Sequence, residues 1–165
     1  MPEHETTQEQ EQEPAREQGS AEEHPRDGMF WEMVAGRVAP PAAAVTLGWQ
    51  LRGIDPEAGT IEVDFQAGDH LVNPAGVIQG GFLAAMLDDT MGPALVATLP
   101  AGQFAPTLDL HVQFFRPARP GLIHGRGAVL HRGRAICFLS GTLTDPAGRV
   151  LAAGSATART QPISR

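Results

Sequence analysis

An Asn, a Gly-Gly pair and an Asp lie close together in the run NPAGVIQGGFLAAMLD, from Asn73 to Asp88. From Val77 to Leu99 the polar side chains are confined to Gln79, Asp88, Asp89, Thr90 and Thr98. A segment apolar on every side is a core helix rather than a surface one. A carboxylate inside such a helix is costly unless it is paired or hydrogen-bonded, so its presence needs a reason. Gly80 and Gly81 fall where the helix should begin, offering unpaired backbone N–H groups and the positive end of the helix dipole. Fixed N–H donors for a developing negative charge, with a carboxylate that can activate water, are the parts that oxyanion chemistry requires.

The flanking pattern indicates what holds these groups. Met29–Val38 has apolar residues at helical spacing and is followed by Pro40-Pro41, which predicts a short helix. Val45–Ile54 reads as a strand, and Asp55–Gly59 as a turn. Ile61, Val63 and Phe65 alternate with polar neighbours, as in a half-buried strand. Pro93 should kink or end the apolar helix, because proline lacks a donor and crowds the preceding turn. After Pro100 the period becomes two: Leu108, Leu110, Val112 and Phe114 face one way, Thr107, Asp109, His111 and Gln113 the other. Leu122–Leu130 and Ala135–Thr144 flank a turn at His131–Arg134. Asp145–Gly148 makes the next turn, and Val150–Ala158 the last strand. The expected class is α+β, with four late strands in an antiparallel meander and the sheet wrapped around one long central helix.

Charge is unevenly spread. Residues 1–27 carry eight Glu and one Asp against two Arg, which accounts for the whole net charge of −7. This Glu- and Gln-rich stretch has too little apolar surface to offset its chain entropy and reads as a disordered acidic tail. Residues 28–165 are electrically balanced and form one domain, with a short helix at 29–38 and a core at 43–159. Without a basic excess the body is not expected to bind nucleic acid. No apolar run suits a membrane span and the N-terminus is unlike a secretory signal, so a cytoplasmic, membrane-free protein is expected. Cys137 lies in a strand-like run and reads as a small core residue. The six His residues lack metal-ligand spacing, so no metal is expected. Neither a G-x-S-x-G elbow nor a phosphate-binding loop is present.

Three pieces together, Asn73–Asp88, PTLDLHVQFFRPARPG and the turn HRGR, resemble the hotdog-fold acyl-CoA thioesterases, and within them the phenylacetate-degradation, PaaI-like branch. The resemblance spans about residues 43–159. It implies a hotdog fold and hydrolysis of an acyl-CoA thioester to a carboxylic acid and coenzyme A. No further cofactor is implied, since coenzyme A is part of the substrate. In that family an Asn lies six residues before a His-Gly-Gly, and the catalytic Asp nine residues after the His. Asn73, position 79 and Asp88 keep both spacings, with Gln79 where His is usual. The resemblance makes Asp88 the general base or nucleophile, with Thr107 orienting the water. The Gly80 N–H, aided by Asn73, would hold the carbonyl oxygen, with Gln79 a positioning residue. The site would be shared across a homodimer, alone or within a homotetramer. Gly81, Arg132 and Arg134 are candidates for contact with coenzyme A, with Arg116 and Arg119 at similar turn positions; Arg suits phosphate by its fork of donors.

Two other readings compete. A non-catalytic acyl-CoA-binding or scaffolding hotdog dimer accommodates Gln79, which cannot titrate near neutral pH. A hotdog hydratase or dehydratase pairs a His with an acid fourteen residues later, but that position after His70 is Ala84. Asp89, about 100° around the helix from Asp88, reads as structural rather than as half of a catalytic pair.

Overall fold

The computed structural model describes residues 28–163, and the expected acidic tail at 1–27 lies outside them. In chain order the elements are α1 (Met29–Val34), α2 (Ala42–Leu47), β1 (Trp49–Asp55) and β2 (Thr60–Ala67). A 3-10 turn at Asp69–Leu71 then leads to α3 (Gly80–Val96). The second half holds β3 (Gln103–Phe104), β4 (Thr107–Phe114), β5 (Gly121–Arg132), β6 (Ile136–Thr144), β7 (Val150–Arg159) and β8 (Gln161–Pro162). Six strands form one antiparallel sheet in the order β1-β2-β5-β6-β7-β4, and β3 pairs with β8 apart from it. This is the α+β class expected, one antiparallel sheet about one long helix.

The helix lies low on the sheet because the strands beneath it are cleared of side chains. A Cβ at Gly125 would come 2.6 Å from Thr90 Oγ1, one at Gly127 2.8 Å from the Thr90 carbonyl, and one at Gly141 2.8 Å from Met91 Cγ. Leu83, Met86, Leu87, Met91 and Leu95 are thereby buried against Ile61, Val63, Phe65, Leu139 and Leu143. Each such side chain contributes about 1.5–3 kcal/mol by leaving water. Thr90 is the polar residue in this core, and its hydroxyl donates to the Met86 carbonyl at 2.7 Å.

Four expectations are corrected. The first helix stops at Val34, where an Arg37–Glu32 ion pair closes the following turn. The strand expected from Val45 begins only at Trp49. Residues 42–47 are helical because Pro41 starts the turn, three alanines favour it, and Gly48 ends it in the left-handed region at φ 69°. A Cβ at Gly48 would also meet the Gln66 carbonyl at 2.5 Å. The four-strand meander is in fact β5-β6-β7, while β4 pairs with β7 at the sheet's far edge. Pro93 neither ends the helix nor leaves an orphan group behind it. The Asp89 carbonyl, four residues earlier and deprived of its helical donor, accepts the Trp49 indole N–H at 2.9 Å, and α3 continues to Val96.

Candidate active site

Asp88 and Thr107 meet. The Thr107 hydroxyl donates to Asp88 Oδ1 at 2.7 Å, joining the sheet edge to the middle of α3 in a half-buried setting. Simple alternation along β4 would turn Thr107 away from Leu110 and Val112. The register instead slips, from Thr107 opposite Ala158 to Asp109 opposite Thr157. That bulge at Leu108 returns Thr107 to the helix side, as bulges re-aim side chains. Leu110 and Val112 pack on the core, while Leu108 and Phe114 are left 58% and 54% exposed on an edge strand.

At its N-terminus α3 is preceded by a tight loop built on Asn73. Asn73 Oδ1 accepts the Ala75 N–H at 2.9 Å and the Val77 N–H at 3.4 Å, and its own N–H donates to the Val77 carbonyl at 2.8 Å. The side-chain oxygen is therefore committed to the loop, leaving the amide NH2 as the group available for a ligand. The Gln79 carbonyl accepts from Phe82 and Leu83, closing the first turn, while its side chain is exposed and caps nothing. Among the described residues the Gly80 and Gly81 N–H groups have no hydrogen-bond partner. Gly80 borders an apolar cleft of about 310 Å³ between Val77, Leu83, Phe114 and Phe115, with Arg116 at its edge. A Cβ at position 80 would sit 3.3 Å from the Phe114 ring, a tight contact that glycine avoids.

Within one chain these two halves stay apart. Eight residues separate Gly80 from Asp88, about 12 Å along the helix axis. Arg132 lies further off still: its guanidinium donates to the Thr98 carbonyl at 2.6 Å, just past the C-terminal end of α3. Arg134 is exposed in the β5–β6 turn. Reading the sequence for site residues missed Phe114 and Phe115 as cleft walls. Their signal is the FFRP run, in which aromatics stand next to the Arg at a strand end.

Two carboxylates sit in succession on α3, and their settings differ. Asp89 Oδ2 is buried with no hydrogen-bond partner. Burial, and secondarily the adjacent Asp88, pushes the Asp89 carboxyl up to about 6. Burial also raises the Cys137 thiol, against a smaller opposing pull from Arg132, which fits a core residue rather than a nucleophile. His124 Nδ1 pairs with Asp64 at 2.6 Å and contacts Arg52 at 3.3 Å, a cross-strand cluster away from the cleft. Among the described residues no group of three or more His, Cys, Asp or Glu could hold a metal ion, and no helix is long and apolar enough to cross a membrane.

The comparisons with known proteins agree on one class. The model of the thioesterase superfamily matches residues 75–152. A protein from Ralstonia eutropha JMP134, provisionally named a thioesterase and phenylacetic acid degradation-related protein, is 42% identical. The match covers 79% of this chain and 98% of that one, with a TM-score of 0.76. An esterase by provisional assignment from Mycobacterium tuberculosis H37Rv is 29% identical over 66% of this chain and 78% of its own. The PaaI protein of the Escherichia coli phenylacetic acid degradation operon shares the fold at a TM-score of 0.69. Its identity is 18%, over 82% of this chain and 94% of its own. The chain belongs to the thioesterase superfamily, in its PaaI-like hotdog branch.

Proposed function

We propose that this chain hydrolyses an acyl-CoA thioester, with Asp88 as general base or nucleophile. The observation that carries the reading is the Thr107–Asp88 hydrogen bond at 2.7 Å, placed on a helix otherwise apolar from Gly80 to Met86. A bond from a neutral hydroxyl leaves the second carboxylate oxygen free for water or for a carbonyl carbon. Thr107 fixes which oxygen that is. The thioester oxygen is received by the Gly80 N–H, supported by the Asn73 amide and the dipole of α3, because negative charge develops on it as the carbonyl is attacked. Gly81, Arg132 and Arg134 belong to coenzyme A binding in this reading, and the apolar cleft receives the acyl group or the arm next to it.

Two copies are needed. The 12 Å estimated between Gly80 and Asp88 within one helix is too long for one thioester to bridge, so each site takes Gly80 and Asn73 from one subunit and Asp88 and Thr107 from its partner. Strand β4 is suited to join them. It is one of the two edge strands of the sheet, it carries Thr107, and it exposes Leu108 and Phe114. The competing reading, a hotdog dimer that binds acyl-CoA without cleaving it, draws on the uncommitted, exposed Gln79 side chain. Release of free thiol from acetyl-, palmitoyl- and phenylacetyl-CoA separates the two. Turnover supports hydrolysis, whereas binding without thiol release supports the alternative.

A further inference from the structure

The cleft beside Gly80 has two candidate occupants, the acyl group and the arm of coenzyme A, and its charge tells them apart. Among the described residues the lining is apolar except for one charged side chain, Arg116, and no carboxylate lines it. Arg116 is fixed in place. Its backbone N–H and that of Phe115 share the Leu151 carbonyl at 3.2 and 2.8 Å, and its guanidinium donates to the Val150 carbonyl at 2.8 Å. The other guanidinium donors are left for a ligand. The loop runs on through Pro117 and Ala118 to Arg119 and Pro120. Ala118 is buried, and its carbonyl accepts the Ile78 N–H at 2.8 Å, tying this loop to the one that enters α3. Arg119 is exposed and, among the described residues, has no side-chain partner. Elsewhere the arginines are answered: Arg37, Arg52, Arg126 and Arg149 each face a carboxylate. Arg132 is held past the other end of α3.

We propose that the cleft holds the pantetheine arm of coenzyme A, and that Arg116 and Arg119 bind the phosphates at its outer end. This rests on acyl-CoA being the ligand, but not on Asp88 being the base. An acyl group offers a guanidinium no hydrogen-bond acceptor, whereas the arm ends in phosphate, which suits the planar fork of Arg. A cation with no acid beside it burdens an acyl pocket and serves a phosphate site. The arm and the acyl group lie on opposite sides of the thioester carbonyl. The acyl group therefore points away from the cleft, past Gly80 toward the subunit that supplies Asp88. Two prolines and the ties to Leu151, Val150 and Ile78 set the loop before the ligand arrives, so little order is lost on binding.

The test measures the Kd of coenzyme A by calorimetry, and kcat/KM for acetyl-, palmitoyl- and phenylacetyl-CoA, on the full chain. Arg116→Gln with Arg119→Gln should raise that Kd at least about tenfold, as losing charge-assisted bonds implies. For every acyl-CoA that turns over, kcat/KM should fall by a similar factor, chiefly through KM. Arg119→Gln alone should show a smaller rise of the same kind; its side chain supports nothing in the loop, so this arm stands even if Arg116→Gln loosens the fold. Arg126→Gln, the same loss of charge on another face, should change neither quantity. Unchanged affinity for coenzyme A in the double variant overturns the proposal. So does a loss confined to one acyl group, which would put the acyl group in the cleft, or an equal loss in Arg126→Gln, which would reduce the effect to net charge. If wild type releases no thiol, hydrolysis fails, while the calorimetric comparison still decides this inference. Wild type that does not bind coenzyme A would remove both.

Discussion

Thr107 and Asp88, nineteen residues apart in sequence, are joined by a 2.7 Å hydrogen bond that crosses from the sheet edge to the central helix. The bond depends on a one-residue slip in β4. Without it the hydroxyl would face away from α3, and Asp88 would be a half-buried carboxylate with no partner from the sheet.

Thr107→Val keeps the shape and removes the donor. A hydrogen bond to a charged group is worth about 1.5–3 kcal/mol, so kcat should fall roughly tenfold to hundredfold. Thr107→Ser should retain most of it. Steady-state kinetics on both variants provide the check; equal losses in the two would show that the hydroxyl is not what matters.

Asp89→Asn should stabilise the protein in a pH-dependent way. Its carboxyl lies higher in the fold, at about 6, than its ordinary 3.8, so between these values the folded state binds the extra proton. Stability from this group therefore declines as pH rises through that window, and above it the ionised form is destabilising. Thermal melts should show the variant more stable at pH 8, with the gap closing at pH 4. A variant less stable at pH 8 would mean that Asp89 has a partner in the assembled protein.

Much of the candidate site's local framework is legible in the sequence, because its parts are local. Asn73, Gly80 and Asp88 belong to one loop-helix unit whose apolar run and glycines announce it, and the β5–β7 turns are marked by Gly, Pro and Asp. What could not be read depends on distant chain. Ala42–Leu47 has apolar residues that suit a strand as well as a helix, and only the Pro41 and Gly48 ends decide it. Pro93 is tolerated because Trp49, 40 residues from Asp89, supplies the donor that its ring removed. The place of β4 beside β7, and the bulge that turns Thr107 inward, are outcomes of sheet assembly and not of local pattern.

Gln79→His should raise kcat on the order of tenfold, or about 1.4 kcal/mol in the barrier, by placing a stiffer donor beside Gly80. The exposed, unbonded Gln79 side chain leaves room for it. A large loss of turnover would show that Gln79 has its own role at the helix start.

The protein should be a dimer or a multiple of one in solution, with activity tied to that state. Light scattering at micromolar concentration should give at least twice the chain mass. Phe114→Glu, on the exposed edge strand, should shift the mass toward one chain and abolish turnover with it. A fully active monomer would exclude the shared site.

The central claim is that Asp88 takes the proton or attacks the thioester. Asp88→Asn keeps the size and can still accept the Thr107 hydroxyl, but its amide cannot serve as base or nucleophile. Thiol release from the acyl-CoA panel, measured beside wild type and with an unchanged melting profile as control, should fall at least about hundredfold. Turnover within a few-fold of wild type would contradict the account, and the reaction would have to be assigned to other residues.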